Sequence, residues 1–334
     1  MKTYFPFFLL ILLISCKSNE KTYHRLTGSA LGTSFSVVYE DQENRNFEKE
    51  IDNLFHSINQ SLSTYLPDSD ISSINRGDTA VRTDSYFEEV FRKSEKIYRE
   101  TDGFFDPTIG ILVNAWGFGP EPAAEGLDSA KVGLLLHGVG LHHISIEDHK
   151  IRAEHYPFYL DFNAIAKGYT VDILGRFLES KNIKNYLVEI GGEVRTRGKN
   201  DKDLPWKIAI EKPLFDGSRS YQSFVLLDNE SIATSGNYRK FKIDSVTGNR
   251  YAHTIDTRTG FPSKSNLLSA SVISSLDCAD VDAYATAFMA MGFERTKTFL
   301  EKRQDLKAFL IYDKNGEMIS YKTDNLEIEM PESE

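Results

Sequence analysis

Apolar residues recur three and four positions apart in several stretches of the chain, a spacing that predicts amphipathic α-helices. The first stretch carries Phe47, Ile51, Phe55, Ile58 and Leu62, which predicts a helix over about residues 44–63. Comparable patterns predict helices over about residues 84–101, 127–137, 166–180, 278–291 and 293–303. An amphipathic helix buries its apolar face against another layer of the fold.

Short runs rich in β-branched and aromatic residues lie between these helices and are bounded by turn residues. They predict strands near residues 33–40, 158–161, 185–190, 206–211, 221–228, 239–244, 250–256 and 267–275. We also expect a hairpin over residues 143–154 and a last one that turns at Lys314-Asn315-Gly316. Because helices and strands do not alternate regularly, the pattern favours an α+β fold over a doubly wound parallel sheet.

The composition is that of a soluble globular protein. The chain has 334 residues, of which 40% are apolar and 26% are charged, enough apolar residues for a sizeable core. The formal net charge of −10 provides no global basic field, so we expect no nucleic-acid partner. Two cysteines, Cys16 and Cys278, cannot form a disulfide framework.

The N-terminus has the pattern of an export signal. Lys2 precedes an apolar run over residues 5–14, which is too short to span a bilayer but suits the apolar core of a signal peptide. The run ends in Leu13-Ile14-Ser15-Cys16, which resembles a lipobox, where cleavage before the cysteine precedes lipid attachment to it. An ordinary signal peptide followed by a chance cysteine is the alternative.

These patterns predict the organisation of the whole chain. We expect a signal peptide over residues 1–15, a lipidated Cys16 with a tether over residues 16–26, one domain over residues 27–326 and a disordered tail over residues 327–334. The protein would then be exported and lipid-anchored to a bacterial membrane, facing the periplasm.

A candidate cation site lies at the start of a predicted helix. Asp282 and Thr286 are four residues apart and so share a helix face. A carboxylate beside a hydroxyl is a pair of hard oxygen ligands that suits Mg²⁺. An aspartate near a helix N-terminus is also favoured by the helix dipole alone, so the spacing by itself leaves both interpretations open.

Two further segments join a strand to the next element. In residues 161–169, backbone carbonyls at a helix start can coordinate a cation and Lys167 can pair with a phosphate; a capping Asp161 and a solvated lysine are the alternative. Gly191-Gly192 permits a ligand to approach the backbone closely, or forms a plain turn. The chain has neither a dinucleotide-binding glycine fingerprint nor a Walker A sequence.

Polar and aromatic clusters complete the set of candidate segments. Residues 233–239 and 253–262 are dense in polar groups, and His253 can exchange protons near neutral pH or serve a structural role. The glycine- and aromatic-rich residues 103–120, together with Tyr65, can clamp a flat ligand by stacking or plug the core.

Taken together and in order, these segments closely resemble the FAD:protein FMN transferases, the ApbE family. The matching stretches are residues 31–35, Ser63-Thr64-Tyr65 with Ser69, 106–119, 161–169, 191–192, 233–236, 253–262 and 282–286. They span nearly the whole chain that follows the signal peptide. The resemblance implies one large α+β catalytic domain, ApbE-like (T-fold-like), with antiparallel sheets and packed helices. Many members are lipoproteins, in agreement with the pattern around Cys16.

The resemblance implies a reaction on FAD that depends on Mg²⁺. A Thr or Ser hydroxyl of a partner protein attacks the FMN phosphorus, AMP leaves, and FMN stays attached through a phosphoester. Two negative phosphates repel a nucleophile, so a divalent cation suits this chemistry. The implied partners are acceptor flavoprotein subunits of membrane redox complexes.

The resemblance also assigns individual residues. Mg²⁺ would be held by the backbone carbonyl of Ala164 and the side chains of Asp282 and Thr286. The flavin-binding positions are Leu31, Tyr65, Trp116, Gly117, Phe118, Asp161, Lys167, Gly191, Gly192, Thr234, Ser235 and Ile255. His253 and Asp256 lie in the matching catalytic segment, and the resemblance leaves open which of them takes the proton.

Three positions depart from the family pattern. Leu31 stands where methionine is common, Thr257 replaces a common proline, and Ala285 stands where some members have a further aspartate. We expect a looser loop at Thr257 and a metal site with fewer carboxylates at Ala285.

Two other functions use the same residues. One is a Mg²⁺-dependent FAD pyrophosphatase with water as the nucleophile, and the other is a non-catalytic FAD-binding lipoprotein. Incubation with FAD alone distinguishes them, because only a pyrophosphatase releases FMN and AMP rapidly without an acceptor.

Overall fold

A computed structural model describes residues 21–155, 157–214, 220–237, 241–243 and 250–330. The strands are β1 (Tyr23–Ala30), β2 (Thr33–Glu40), β3 (Ile144–Glu147), β4 (Lys150–Ala153), β5 (Tyr186–Ile190), β6 (Glu193–Arg197), β7 (Trp206–Glu211), β8 (Tyr221–Leu227), β9 (Ser231–Gly236), β10 (Phe241–Ile243), β11 (Arg250–Ala252), β12 (Leu267–Ser274), β13 (Lys307–Lys314) and β14 (Glu317–Lys322). The α-helices are α1 (Glu48–Leu62), α2 (Asp70–Asn75), α3 (Ser85–Glu100), α4 (Gly110–Ala115), α5 (Ser129–Leu136), α6 (Ala166–Ser180), α7 (Cys278–Met291) and α8 (Phe293–Leu300).

Eight of these strands form one antiparallel sheet in the order β1-β2-β5-β6-β9-β12-β13-β14. The pairs β3–β4, β7–β8 and β10–β11 form separate two-stranded sheets. Helices and strands are mixed without a parallel sheet among the described strands, so the α+β expectation is confirmed.

Both faces of the central sheet are covered. On one face, Val272 and Leu310 belong to the main core with α1, α3, α6 and α7, while on the other Ile273 and Phe309 pack with the β7–β8 hairpin. Successive residues of a strand point to opposite faces, so β12 is buried along nearly its whole length. The result is three layers, with helices, sheet and hairpin in that order.

Helix α7 lies in the middle of the helical layer and packs against α6, α3 and strands β9 and β12. Nearly all of its residues are buried, because alanines such as Ala283 and Ala287 let neighbouring backbones approach closely. A helix that is apolar all round is one that is buried on every side.

A buried carboxylate fixes the start of α7. The two Asp172 oxygens accept hydrogen bonds from the backbone N–H groups of Cys278 (2.8 Å) and Ala279 (2.9 Å), and Arg195 donates to Oδ1 at 2.7 Å. Burial raises the pKa of the Asp172 carboxyl to about 6, with Asp277 adding to the shift and Arg195 opposing it. Asp172 therefore joins α6, β6 and the first turn of α7.

The expected helices and both expected hairpins are present. The hairpin over residues 143–154 corresponds to β3 and β4, and the last one turns at Asn315 and Gly316, which both have positive φ (57° and 88°). This conformation is the one that two-residue hairpin loops favour.

The expected strand at residues 158–161 is wrong. The Asn75 side chain bonds both backbone groups of Leu160 at 2.8 Å, and the Asp161 N–H donates to the Pro107 carbonyl. The backbone groups of this segment therefore hydrogen-bond to a side chain and a loop carbonyl, and not to a neighbouring strand. Strands β6 and β9 were not predicted, because charged residues in β6 and small polar residues in β9 weaken the strand pattern.

Two expected domain boundaries also differ. β1 begins at Tyr23, inside the expected tether of residues 16–26, and it pairs with β2 along its whole length. Near the other end, Glu329 exchanges two backbone hydrogen bonds of 2.8 Å with Phe224. The expected disordered tail of residues 327–334 therefore begins too early in the chain. The predicted signal peptide and Cys16 lie outside the described residues, as do residues 331–334. No helix in the described ranges is long and apolar enough to cross a membrane.

We expect Asp172→Ala to lower the free energy of unfolding by about 3–5 kcal/mol, because it leaves two helix N–H groups without their buried acceptor and removes one carboxylate partner of Arg195, which keeps Asp277 at 2.9 Å. Asp52→Ala is the control: Asp52 is an exposed residue of α1, and its loss should change stability by less than about 0.5 kcal/mol. Urea unfolding at neutral pH measures both. Equal losses for the two variants would contradict the role assigned to Asp172.

Candidate active site

A cavity of about 570 Å³ lies where strand ends meet the first turn of α6 and one face of α7. Its volume is in the range of small-molecule sites. It brings together residues from segments far apart in the chain. Those that the sequence analysis assigned and that line it are Tyr65, Phe118, Asp161, Ala164, Lys167, Gly191, Gly192, Thr234, Ser235, His253, Ile255, Asp282 and Thr286.

One end of the cavity is charged. Lys167 Nζ lies 2.8 Å from Glu193 Oε1, and the buried Asp282 accepts a hydrogen bond from the Gly168 N–H at 3.0 Å. Burial raises the pKa of the Asp282 carboxyl to about 7; the Lys167 ammonium opposes this shift and the Glu193 carboxylate adds to it. Burial alone would lower the pKa of Lys167, but the two carboxylates raise it above its usual value.

The donors at this end suit a divalent cation. Two carboxylates, Asp282 and Glu193, face one ammonium, and Glu193 Oε2 is buried without a hydrogen-bond partner among the described residues. A buried polar atom without a partner is costly, and a cation would satisfy it. The Gly168 N–H donates to Asp282, so the Ala164 carbonyl receives no helical hydrogen bond from it. Hard oxygen donors of this kind are the ligands that Mg²⁺ prefers.

Asp282 and Thr286 both line the cavity from one face of α7, as their spacing predicts. The Thr286 hydroxyl hydrogen-bonds the Ser235 hydroxyl of β9 at 3.1 Å, and the neighbouring Thr234 hydroxyl bonds that of Ser271 at 2.7 Å. These bonds fix the hydroxyl positions on the sheet side of the cavity.

The turn between β5 and β6 needs its glycines. Gly191 and Gly192 both have positive φ (64° and 106°), and a Cβ at Gly191 would stand 2.8 Å from the Thr33 side chain. The Gly192 N–H donates to Glu189 Oε1 at 2.9 Å. The backbone of this turn thus packs closely against Thr33, and the next residue, Glu193, lines the cavity.

Aromatic rings line another part of the cavity, its aromatic end. Phe104, Phe105 and Phe118 line it, and Tyr65 stands at its mouth with 61% of its surface exposed. A largely exposed ring beside an apolar wall is available for stacking with a flat ligand.

The comparisons with known proteins agree with this geometry. The sequence model of the ApbE family matches residues 31–310. The chain belongs to the ApbE family. The FAD:protein FMN transferase of Vibrio cholerae serotype O1 is 36% identical over 310 residues, which cover 88% of this chain and 89% of the relative. That of Escherichia coli K12 is 32% identical over 89% of this chain and 86% of its own length.

Solved structures of the family have the same fold. The flavin transferase ApbE from Vibrio cholerae superimposes with a TM-score of 0.80 at 32% identity, covering 91% of this chain and 98% of its own. The apo flavinyl transferase ApbE of Pseudomonas stutzeri gives a TM-score of 0.81 at 28% identity, covering 91% and 95%. The expected ApbE-like domain is therefore confirmed.

Four assigned residues do not line the cavity of this ApbE-family chain: Leu31, Trp116, Gly117 and Asp256. Leu31 lies in the β1–β2 turn with a φ of 51°. The Trp116 indole N–H donates to the Gly260 carbonyl at 2.9 Å, and its ring packs on Phe261. Trp116 therefore joins residues 103–120, the aromatic loop, to residues 253–262 and supports the cavity from outside.

The two candidate proton acceptors have different positions. His253 lines the cavity. The Asp256 carboxylate accepts the Arg258 N–H at 2.8 Å, and its carbonyl accepts the Gly260 N–H. Asp256 thus stabilises a turn, a common role for aspartate in loops.

Thr257 is tied to a neighbouring loop, and the expectation of a looser loop at this position stays a prediction. The Thr257 hydroxyl donates to the Gly103 carbonyl at 2.7 Å, and Arg258 pairs with Asp102. Both contacts hold residues 253–262 against the aromatic loop. A proline at position 257 has no side-chain donor and could not make the first of them.

Glu193 was not assigned from the sequence, although it is buried at the charged end and paired with Lys167. Asp106 and Asn163, which line the cavity, were not assigned either. A charged residue directly after a paired-glycine turn was the available signal for Glu193, since a strand that begins with a buried carboxylate requires a partner for its charge.

Proposed function

We infer that this chain is an FAD:protein FMN transferase, which moves FMN from FAD to a hydroxyl of a partner protein and releases AMP. The observation that carries this inference is one cavity with a charged end, built from Lys167, Glu193 and Asp282, and an aromatic end that opens at Tyr65. Relatives that bear this name are similar over most of their length. A dinucleotide with a pyrophosphate and a flat ring fits such a division of the cavity.

We propose that FAD binds with its pyrophosphate near Lys167 and its isoalloxazine ring between Tyr65 and Phe118. Lys167 lies at the start of α6, where the helix dipole also favours an anion. The exposed position of Tyr65 leaves the mouth of the cavity accessible to an acceptor segment.

We propose Mg²⁺ as the resident cation, held by the Ala164 carbonyl, Asp282 and Thr286, with Glu193 close by. When bound, it would neutralise the phosphate oxygens and so make the phosphorus open to attack. Ala285 is buried and supplies no carboxylate, so Asp282 is the acidic ligand from α7 at this position.

For the proton transfer, the geometry favours His253 over Asp256. His253 lines the cavity, and an imidazole accepts protons near neutral pH. One oxygen of the Asp256 carboxylate accepts a hydrogen bond within the turn that carries this segment. We propose that His253 accepts the proton of the attacking hydroxyl and that Asp256 positions the loop.

The decisive experiment combines the purified chain with FAD, Mg²⁺ and a candidate acceptor domain. Mass spectrometry should find FMN on a Thr or Ser of the acceptor, with one AMP released for each FMN transferred. Release of free FMN and AMP at the same rate without acceptor would indicate a pyrophosphatase instead, and FAD binding without turnover would indicate a flavin carrier.

We propose that the protein is exported and held by lipid on Cys16 at a bacterial membrane, facing the periplasm. Six residues separate Cys16 from the start of β1 at Tyr23. Fully extended, this connection reaches at most about 25 Å, so the domain would stay near the membrane surface. Flavoprotein subunits of membrane redox complexes are the acceptors that such a position would serve.

We expect Asp282→Asn to reduce FMN transfer by about 100-fold or more at saturating FAD, because charge neutralisation at phosphorus supplies several kcal/mol. Asp280→Asn is a matched control: Asp280 is buried in the same helical turn, but it pairs with Lys93 at 2.8 Å, away from the cavity. It should keep transfer within a few-fold. Similar loss of transfer in both variants would contradict the cation site.

We expect Tyr65→Ala to weaken FAD binding by roughly tenfold, since ring stacking contributes on the order of 1 kcal/mol beyond burial. Fluorescence titration measures the affinity. Tyr65→Phe should bind almost normally, because it keeps the ring and removes only the hydroxyl. If Tyr65→Ala binds FAD like the parent chain, Tyr65 is only a packing residue at the end of α1.

We expect Cys16→Ser to move the protein from the membrane fraction to the soluble fraction, because the serine cannot receive lipid through a thiol. Cys278→Ser is the control, as Cys278 is fully buried in α7. Unchanged membrane fractionation of Cys16→Ser would show that the anchor lies elsewhere.

A further inference from the structure

Three imidazoles and a carboxylate meet at the open end of the β3–β4 hairpin, outside the cavity. The His143 Nδ1 lies 2.9 Å from Glu154 Oε2, and the ring centroids of His143 and His155 are 4.4 Å apart. The ring of His142 is 3.8 Å from that of His143. One ligand atom each from His143, Glu154 and His155 lies within 4.8 Å of the others.

We propose that His143, Glu154 and His155 form a binding site for a borderline transition-metal dication, with Zn²⁺ as the member to test. Imidazole and carboxylate are common Zn²⁺ ligands, with bond lengths of about 2.0–2.2 Å. A tetrahedral ion of that size needs donor atoms about 3.4 Å apart, which small side-chain rotations from the present positions provide. Two nitrogen donors select against Mg²⁺, which prefers oxygen alone.

The backbone holds these ligands in place before any ion binds. The Glu154 N–H donates to the His143 carbonyl at 3.0 Å, which continues the pairing of Ile144 with Ala153. His143 and Glu154 are therefore cross-strand neighbours, whose side chains lie close together on one face. Because the backbone fixes this pair, the metal would mainly have to order side chains.

The site is open enough to take up an ion from solution. The side chain of Glu154 is 70% exposed and that of His143 is 30% exposed. His142 has a different partner, since its Nδ1 hydrogen-bonds the Tyr98 hydroxyl at 2.7 Å. A water molecule can then complete the coordination of an ion held by three protein ligands.

An ion at this position would join two segments that both contact the cavity wall. On one side, the N–H groups of Gly140 and Leu141 donate to Thr108 and Asp106, and Asp106 lines the cavity. On the other side, the chain continues from His155 to Asp161, whose N–H donates to the Pro107 carbonyl at 2.8 Å. Because the metal would bind the folded protein and not the unfolded chain, it would stabilise this wall.

The experiment uses the purified full-length chain without a histidine tag, in excess Mg²⁺ so that oxygen sites are occupied. Calorimetric titration with Zn²⁺ should give one site per chain, and Zn²⁺ should raise the midpoint of thermal unfolding. Co²⁺ in place of Zn²⁺ should give visible absorption of a site with nitrogen ligands. His143→Ala and His155→Ala should each weaken Zn²⁺ binding by at least about tenfold, since even indirect ligand partners contribute that much.

The control is the other end of the same hairpin. His149 Nδ1 lies 2.7 Å from Glu88 Oε1, a comparable histidine–glutamate pair, and it is not part of the three-ligand cluster. His149→Ala should keep the Zn²⁺ affinity and the thermal shift. His155 is exposed, so its replacement keeps the fold even if that of His143 does not. Parent-like Zn²⁺ affinity in His155→Ala and Glu154→Gln would overturn the proposal.

Discussion

The position of α7 depends on the buried carboxylate of Asp172. It caps the helix through Cys278 and Ala279 and is itself neutralised by Arg195 of β6. Because the cap fixes both the start and the rotation of α7, it determines that Asp282 and Thr286 face the cavity while Asp280 faces Lys93. The strength of this interaction comes from burial, which makes an unpaired charge at Arg195 or Asp172 costly.

The charged end of the cavity has more carboxylates than ammonium groups, and a cationic ligand can balance this excess of negative charge. Asp282 and Glu193 are both buried and share a single ammonium, that of Lys167. Burial raises the pKa of both carboxyl groups above their usual values, and one Glu193 oxygen has no partner among the described residues. Apolar residues would serve stability alone at least as well, so this arrangement supports the cation and phosphate sites proposed above.

The aromatic end is formed by two loops that are hydrogen-bonded to each other. Trp116 and Thr257 each donate a hydrogen bond across to the other loop, to the carbonyls of Gly260 and Gly103. The loop that carries His253 and the loop that carries Phe118 are thereby joined. Residues that do not line the cavity, such as Trp116, therefore still determine its shape.

The sequence by itself determined the six helices of eight residues or more, the two hairpins and the mixed fold class, because these follow from local periodicity and turn chemistry. The short helices α2 and α4 were not predicted. The resemblance of the sequence to the ApbE family also identified most of the segments that line the cavity, including the one from Asp282 to Thr286. The sequence could not show that Leu160 bonds Asn75 in place of a strand, or that Asp256 closes a turn while His253 lines the cavity. Those outcomes, like the pairing of Glu193 with Lys167 and the meeting of His143 with His155, depend on contacts between distant segments. Only the tertiary structure decides them, because the free energy of such contacts comes from burial and from partners that no local pattern encodes.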